Sequence, residues 1–191
     1  MDYLHTIADN SVNLVIYDLP YGLTVLKWDK KIDLAELWVE IKRVLVKRVK
    51  HADGSVTKCG QVLMFCQGKF KYEVYNSNPR WHRQDLVWIK NKGVGFMNAN
   101  VRRLTQHEDI LLFSSHGGVY NPQKTQGKPY VVSFESSNKV SDLYRFLAFR
   151  SKNGFTAVNS GDRFPTTILK HSKEEKHGGL NKGNPTSKPL A

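Results

Sequence analysis

At 191 residues the chain is long enough for one domain with a sizeable core and short for two. Lysine plus arginine number 29 against 17 aspartates and glutamates, a net charge of +12, which favours a polyanionic partner, nucleic acid first. No apolar run is long enough to span a membrane, and Met1-Asp2-Tyr3-Leu4-His5 lacks the basic-then-apolar pattern of a secretion signal, so a cytoplasmic protein without membrane contact is expected.

In chain order, residues 2–13 read as a short helix and turn, broken at Asp9-Asn10-Ser11. Leu14-Val15-Ile16-Tyr17 is a continuous apolar run, read as a buried parallel strand. A helix is expected from about Ile32 or Asp33, because Leu34, Leu37, Trp38, Ile41, Val44, Leu45 and Val49 recur at helical spacing. Its other face carries Lys42, Arg43, Lys47, Arg48 and Lys50, charges that a solvated helix surface explains. Gln61 to Cys66 reads as a second buried strand, and Lys69 to Asn76 as a short helix ended by Asn78-Pro79. The two cysteines, Cys59 and Cys66, lack metal-site spacing and read as buried free thiols, so no metal is expected.

Asp85 to Lys90 is a third strand, and Asp109 to Phe113 a fourth, with a Gly- and Asn-rich loop between them. The pattern is a doubly wound α/β sheet ending in an antiparallel pair. Trp28, Trp38 and Trp88 read as packing aromatics, and His107-Glu108 as a cap or buried polar pair as readily as a site. Residues 115–160 hold many Gly, Ser, Asn and Lys with aromatics at Tyr120, Tyr130, Phe134, Tyr144, Phe146 and Phe149. That mixture suits DNA contact, and a flexible insertion equally. Arg163-Phe164-Pro165 leads to a short apolar run, Thr166 to Leu169, and then a charged, Gly-rich tail.

The chemistry centres on Asp18-Leu19-Pro20-Tyr21-Gly22. Pro20 cannot donate to a strand ladder, so the first strand stops here and opens into a loop. Ligands of open α/β sheets are held by loops leaving the carboxyl ends of strands. Asp18 and the Leu19 carbonyl could accept from an exocyclic amine while Tyr21 stacks on the base. The same five residues are also an ordinary strand-to-turn sequence.

Read together, these stretches resemble the amino-methylating DNA methyltransferases, specifically the phage-type adenine-N6 enzymes of the β order. The resemblance rests on Asp18-Leu19-Pro20-Tyr21-Gly22, Lys27-Trp28-Asp29, Leu37-Trp38, Arg43-Val44-Leu45, Trp88 to Gly93 and Gly95 to Asn100. It continues through His107 to Leu111, Tyr120 to Thr125, Gly127 to Tyr130, Arg163-Phe164-Pro165 and Asn184-Pro185-Thr186-Ser187-Lys188-Pro189. It implies a partial Rossmann-like methyltransferase sheet with helices on its faces and a loop-rich target-recognition insertion. The implied parts are a catalytic half-domain over 1–114, a target-recognition region over 115–162, and a return strand and tail over 163–191.

The implied reaction is methyl transfer from S-adenosylmethionine to adenine N6 of a flipped base in double-stranded DNA, in a bacterium or phage-infected cell. Asp18, Leu19, Pro20 and Tyr21 would form the base pocket, and Asp18, Thr186 and Lys188 would neighbour the cofactor. Arg102, Arg103, Lys90, Lys92, Asn98, Asn100, Lys124 and Lys128 would meet the DNA. The family's Phe-x-Gly-x-Gly signature is not found after residue 189, and His and Gln of its last motif are replaced by Asn184 and Ser187. A shortened or split enzyme is therefore expected, whose first strand becomes a bare apolar edge covered by a second chain or a second copy. An inactive DNA-binding relic and a cytosine-N4 enzyme are the alternatives.

Overall fold

The computed structural model describes residues 4–22, 26–27, 29–134 and 155–170. Among these, two compact units can be distinguished, one built from residues up to Tyr120 together with those from Thr167, the other spanning Asn121–Thr166. The inserted unit thus starts and ends a few residues later than the 115–162 segment expected.

In the first unit, the strands β1 (Leu14–Asp18), β4 (Gln61–Cys66), β5 (His82–Val94), β6 (Thr105–Phe113) and β11 (Ile168–Leu169) form one mixed sheet. Its order is β1-β4-β6-β5-β11. β1 runs parallel to β4 and β11 parallel to β5, while β6 is antiparallel to both of its neighbours. This is an α/β sheet with the expected antiparallel pair, and Ile168–Leu169 returns to it as expected. A two-residue ribbon, β2 (Val49–Lys50) with β3 (Val56–Thr57), lies between the first helix and β4.

Helix α1 (Leu34–Val44) starts where Asp33, in an extended conformation, accepts from the N–H groups of Ala35 and Glu36. It ends five residues before the Val49 expected from apolar spacing. Leu45 turns extended, Val46 donates to the Val12 carbonyl, and Val12 bridges Leu45 in parallel, so the backbone leaves the helix to line up beside the start of β1. The expected break before β1 is an Asn10 at φ +55°, a conformation Asn tolerates. Helix α2 (Lys69–Ser77) follows β4.

Both described α-helices pack on the same sheet face. Leu37, Trp38 and Ile41 of α1 and Phe70 and Val74 of α2 close over Val62, Met64, Cys66, Leu111 and Phe113. The Trp38 indole N–H donates to Ser77 Oγ at 2.7 Å, tying the two helices together. Truncating a fully buried side chain here, such as Ile41→Ala, costs about 2–5 kcal/mol. Register places Leu14 and Ile16 on the opposite face with Leu63, Phe65, Ile110 and Leu112. β1 is therefore not the buried strand expected. It is an edge strand whose Leu14 and Ile16 are 50% and 55% exposed, and no described helix covers that side.

Cys59 and Cys66 are free and buried, and among the described residues no cluster has the makings of a metal site. No described helix is long and apolar enough to cross a membrane.

In the second unit, β8 (Tyr130–Phe134) and β9 (Phe155–Asn159) form an antiparallel pair, as do β7 (Thr125–Gln126) and β10 (Asp162–Arg163). The segment read as loop therefore contains strands. Its Val131, Val132 and Val158 are β-branched residues suited to them. Arg163 fastens this unit, donating to Asn159 Oδ1 at 2.7 Å and to the Lys128 carbonyl at 2.6 Å with its guanidinium over the Tyr130 ring.

Candidate functional site

Register brings several chemically able residues to one rim of the sheet. Asp18 ends β1 beside Phe65, and Cys66 of β4 lies opposite Asp109 of β6. Glu108 of β6 lies opposite Trp88 of β5, and Ile89 opposite His107. The carboxyl ends of β1, β4 and β5 thus meet the amino end of β6, the rim at which open α/β sheets hold ligands.

The loop after β1 is built to hold its shape. Gly22 sits at φ +65°, a left-handed conformation that Pro20-Tyr21 leads into and that only glycine adopts without strain. Its N–H donates to the buried Asp29 carboxylate at 2.7 Å, pinning the start of the excursion to its end. Lys31, whose side chain lies beside Gly22, is held by both oxygens of Glu73 on α2, at 2.7 and 2.8 Å. Leu19 is buried in the main core, so the loop is anchored on both sides of Pro20.

Tyr21 stacks on Phe70 with ring centroids 5.2 Å apart and planes at 25°. Its hydroxyl donates to Asp18 Oδ1 at 3.3 Å and approaches Glu108 Oε2 at 3.5 Å. Burial, then the negative charges of Glu108 and Asp18, push the phenol far above its ordinary range, so it stays a neutral donor. Glu108 is itself buried and ion-paired with Lys90, whose ammonium lies 5.8 Å from the Trp88 ring. Asp18, in contrast, is solvent-exposed. A fixed ring, an exposed carboxylate and a buried, charge-compensated carboxylate are thereby gathered at one strand end.

The expected site residues fall into three groups. Asp18, Leu19, Pro20 and Tyr21 are brought together as described. Lys92, Asn98, Asn100, Arg102 and Arg103 are exposed on the segment joining β5 to β6, around a short 3-10 turn at Phe96–Asn98. Lys90 is only 20% exposed in its side chain and committed to Glu108. Lys124 pairs with Asp162 at 3.2 Å over the Phe164 ring, and the exposed Lys128 offers its carbonyl to Arg163, both within the second unit. Thr186 and Lys188, with Trp28, Tyr144, Phe146 and Phe149, lie outside the described residues.

Three features escaped sequence reasoning. Glu108 and Asp29 become site residues only through long-range register and loop closure. Phe96 and Met97 are 79% and 95% exposed at the tip of the β5–β6 segment, an apolar point beside Arg102 and Arg103. The order Phe-Met among Gly and Asn was the one available signal for it.

No family model matches the chain, and no curated protein matches it. Solved structures do. One is a DNA modification methylase from Thermus thermophilus, at 16% identity over 64% of this chain and 52% of that one, with a TM-score of 0.40. A second is M1.HpyAVI in complex with SAM, at 18% identity over 62% and 52%, TM-score 0.37. A third is the cytosine-N4-specific PvuII DNA methyltransferase, at 12% identity over 92% and 55%, TM-score 0.46. The chain spans about half the length of these structures. Likenesses this distant assign no activity.

Proposed function

We propose that this chain carries the base-binding rim of an S-adenosylmethionine-dependent DNA methyltransferase that modifies adenine N6. The observation that supports it most is the Asp18–Tyr21 pair, joined at 3.3 Å at the carboxyl end of β1, with Tyr21 locked flat on Phe70. In this reading a flipped adenine lies along Tyr21 and its amine donates to Asp18 and to the Leu19 carbonyl, across the rigid Pro20 turn. An aryl amine is a weak nucleophile because its lone pair is delocalised into the ring. Acceptors that fix its two protons draw the nitrogen towards a tetrahedral geometry, a gain from positioning and electrostatics. The neutral Tyr21 phenol and the Lys90-compensated Glu108 hold Asp18 in place.

S-adenosylmethionine, when bound, supplies an electrophilic methyl carbon. Among the described residues the rim offers it Asp18 and one open glycine, Gly68, at the uncapped start of α2. That is less than a multi-glycine cradle, so the described residues do not make a complete donor site on their own. A second chain or a second copy laid over Leu14 and Ile16 belongs to the same proposal. Double-stranded DNA is the proposed substrate. Lys92, Arg102, Arg103, Asn98 and Asn100 contact its backbone, Phe96 and Met97 enter the opened stack, and Lys124 and Lys128 add cations from the second unit. The test is formation of N6-methyladenine, lost on Asp18→Ala in a protein that still folds.

A further inference from the structure

The cations around the end of α1 are not alike. Arg43 is fully engaged, by Glu40, Asp9 and the carbonyls of Leu4 and Ile7. Lys42, Lys47 and Arg48 have no ion-pair partner among the described residues. These three, with His116, rim a cavity of about 430 Å³ floored by Trp81, Leu45 and Val46. Among the described residues no carboxylate lines it. Its volume falls in the range of small-molecule sites.

The cavity is separate from the rim described above. Gly60, just before β4, and Ser115, just after β6, line it, so it sits at the opposite end of the sheet from Asp18. Its floor is rigid. Trp81 packs edge-on against the buried Trp38, centroids 5.9 Å apart at 74°, and Lys42 Nζ lies 5.6 Å from its ring. Arg83 clamps the Ser114 carbonyl at 2.7 Å and also holds that of Ser115, fixing the opposite wall. Three uncompensated cations held around a concavity repel one another and are relieved by an anion of matching charge. An indole with aliphatic neighbours, in turn, suits a flat ring or a sugar face.

We propose that this cavity binds a phosphate group carried by a nucleotide, Lys42, Lys47 and Arg48 meeting the phosphate and the Trp81 side meeting the nucleoside. The nucleotide is either free or a unit of a nucleic-acid strand. The inference does not depend on the methyltransferase reading.

The experiment follows the Trp81 indole N–H resonance, assigned with Trp81→Phe, during titration of the full chain at low salt. The probes are adenosine monophosphate, inorganic phosphate and a short single-stranded oligonucleotide. The Trp81 signal is expected to shift saturably, and Lys47→Ala combined with Arg48→Ala to raise the half-saturation point about tenfold or more. Both side chains are exposed, and circular dichroism checks that the double variant is folded. Response to the mononucleotide assigns a free ligand, and response to the oligonucleotide alone assigns a strand. Asp18→Ala must bind like the parent, so loss of methylation and loss of this site are read separately. A Trp81 signal unmoved by every probe at about 1 mM, or equal half-saturation in the double variant, overturns the proposal.

Discussion

The Glu108–Lys90 pair should be one of the most coupled side-chain pairs in the protein. Glu108 keeps 8% of its side chain exposed and Lys90 keeps 20%, so both ends are largely desolvated but neither is sealed. Lys90→Met leaves a buried carboxylate with the Tyr21 hydroxyl as a remaining neighbour, at 3.5 Å. Removing one partner of a fully buried pair costs about 3–5 kcal/mol, and the residual exposure of Lys90 lowers the expectation to about 2–3. Glu108→Gln strands an ammonium that can turn towards water, and should cost about 1–2 kcal/mol. The double variant removes the uncompensated charge, so its loss should fall well below the sum of the singles, by about 1.5–3 kcal/mol. Urea unfolding of the four proteins measures this, read from midpoints at constant slope. Additivity within about 0.5 kcal/mol would refute the argument that Lys90 is spent on Glu108.

Other consequences follow from the same rim. Tyr21→Phe keeps the stack on Phe70 and removes only the hydroxyl, so stability should fall by about 1 kcal/mol while methyl transfer falls much further; equal activity would show that the phenol does not position Asp18. Asp29→Ala removes the acceptor of the Gly22 N–H and should cost about 1–3 kcal/mol and raise proteolysis between residues 22 and 29; an unchanged digestion pattern would count against that anchor. Burial and then the Asp109 charge push the Cys66 thiol up to about 12, against about 8.5 in an unfolded chain. The unfolded chain therefore sheds this proton first as pH rises. The Cys66 contribution is complete below about pH 8.5 and is lost between there and about 12, so the urea midpoint should fall across that window, and less so in Cys66→Ala.

Legibility in the sequence followed the range of the interactions. β4, α2 and the start of α1 were readable because each rests on local signals: an apolar run, a Gly before a helix, an Asp cap at residue 33. The end of α1 was not, because Leu45 and Val49 keep helical spacing while Val12, far back in the chain, takes the backbone away. β5 and β6 are longer than their apolar centres suggested, since each supports the other's polar ends, and His107 and Glu108 fall inside β6 rather than before it. Exposure of β1 on one face was foreshadowed only as a bare edge. Within the site, Asp18 and Tyr21 lie three positions apart and could be read together, whereas Tyr21 and Glu108 are 87 apart and meet through register alone. The same register turned Lys90, a cation expected at DNA, inward to Glu108.

The most direct measurement expresses the chain in a host lacking adenine methylation and quantifies modified bases in the hydrolysed DNA by mass spectrometry. The wild-type chain should yield N6-methyladenine, and Asp18→Ala, at equal soluble level and equal urea midpoint, should yield none above background. N4-methylcytosine instead, or N6-methyladenine undiminished by Asp18→Ala, would contradict the assignment of Asp18 as the group that holds the adenine amine.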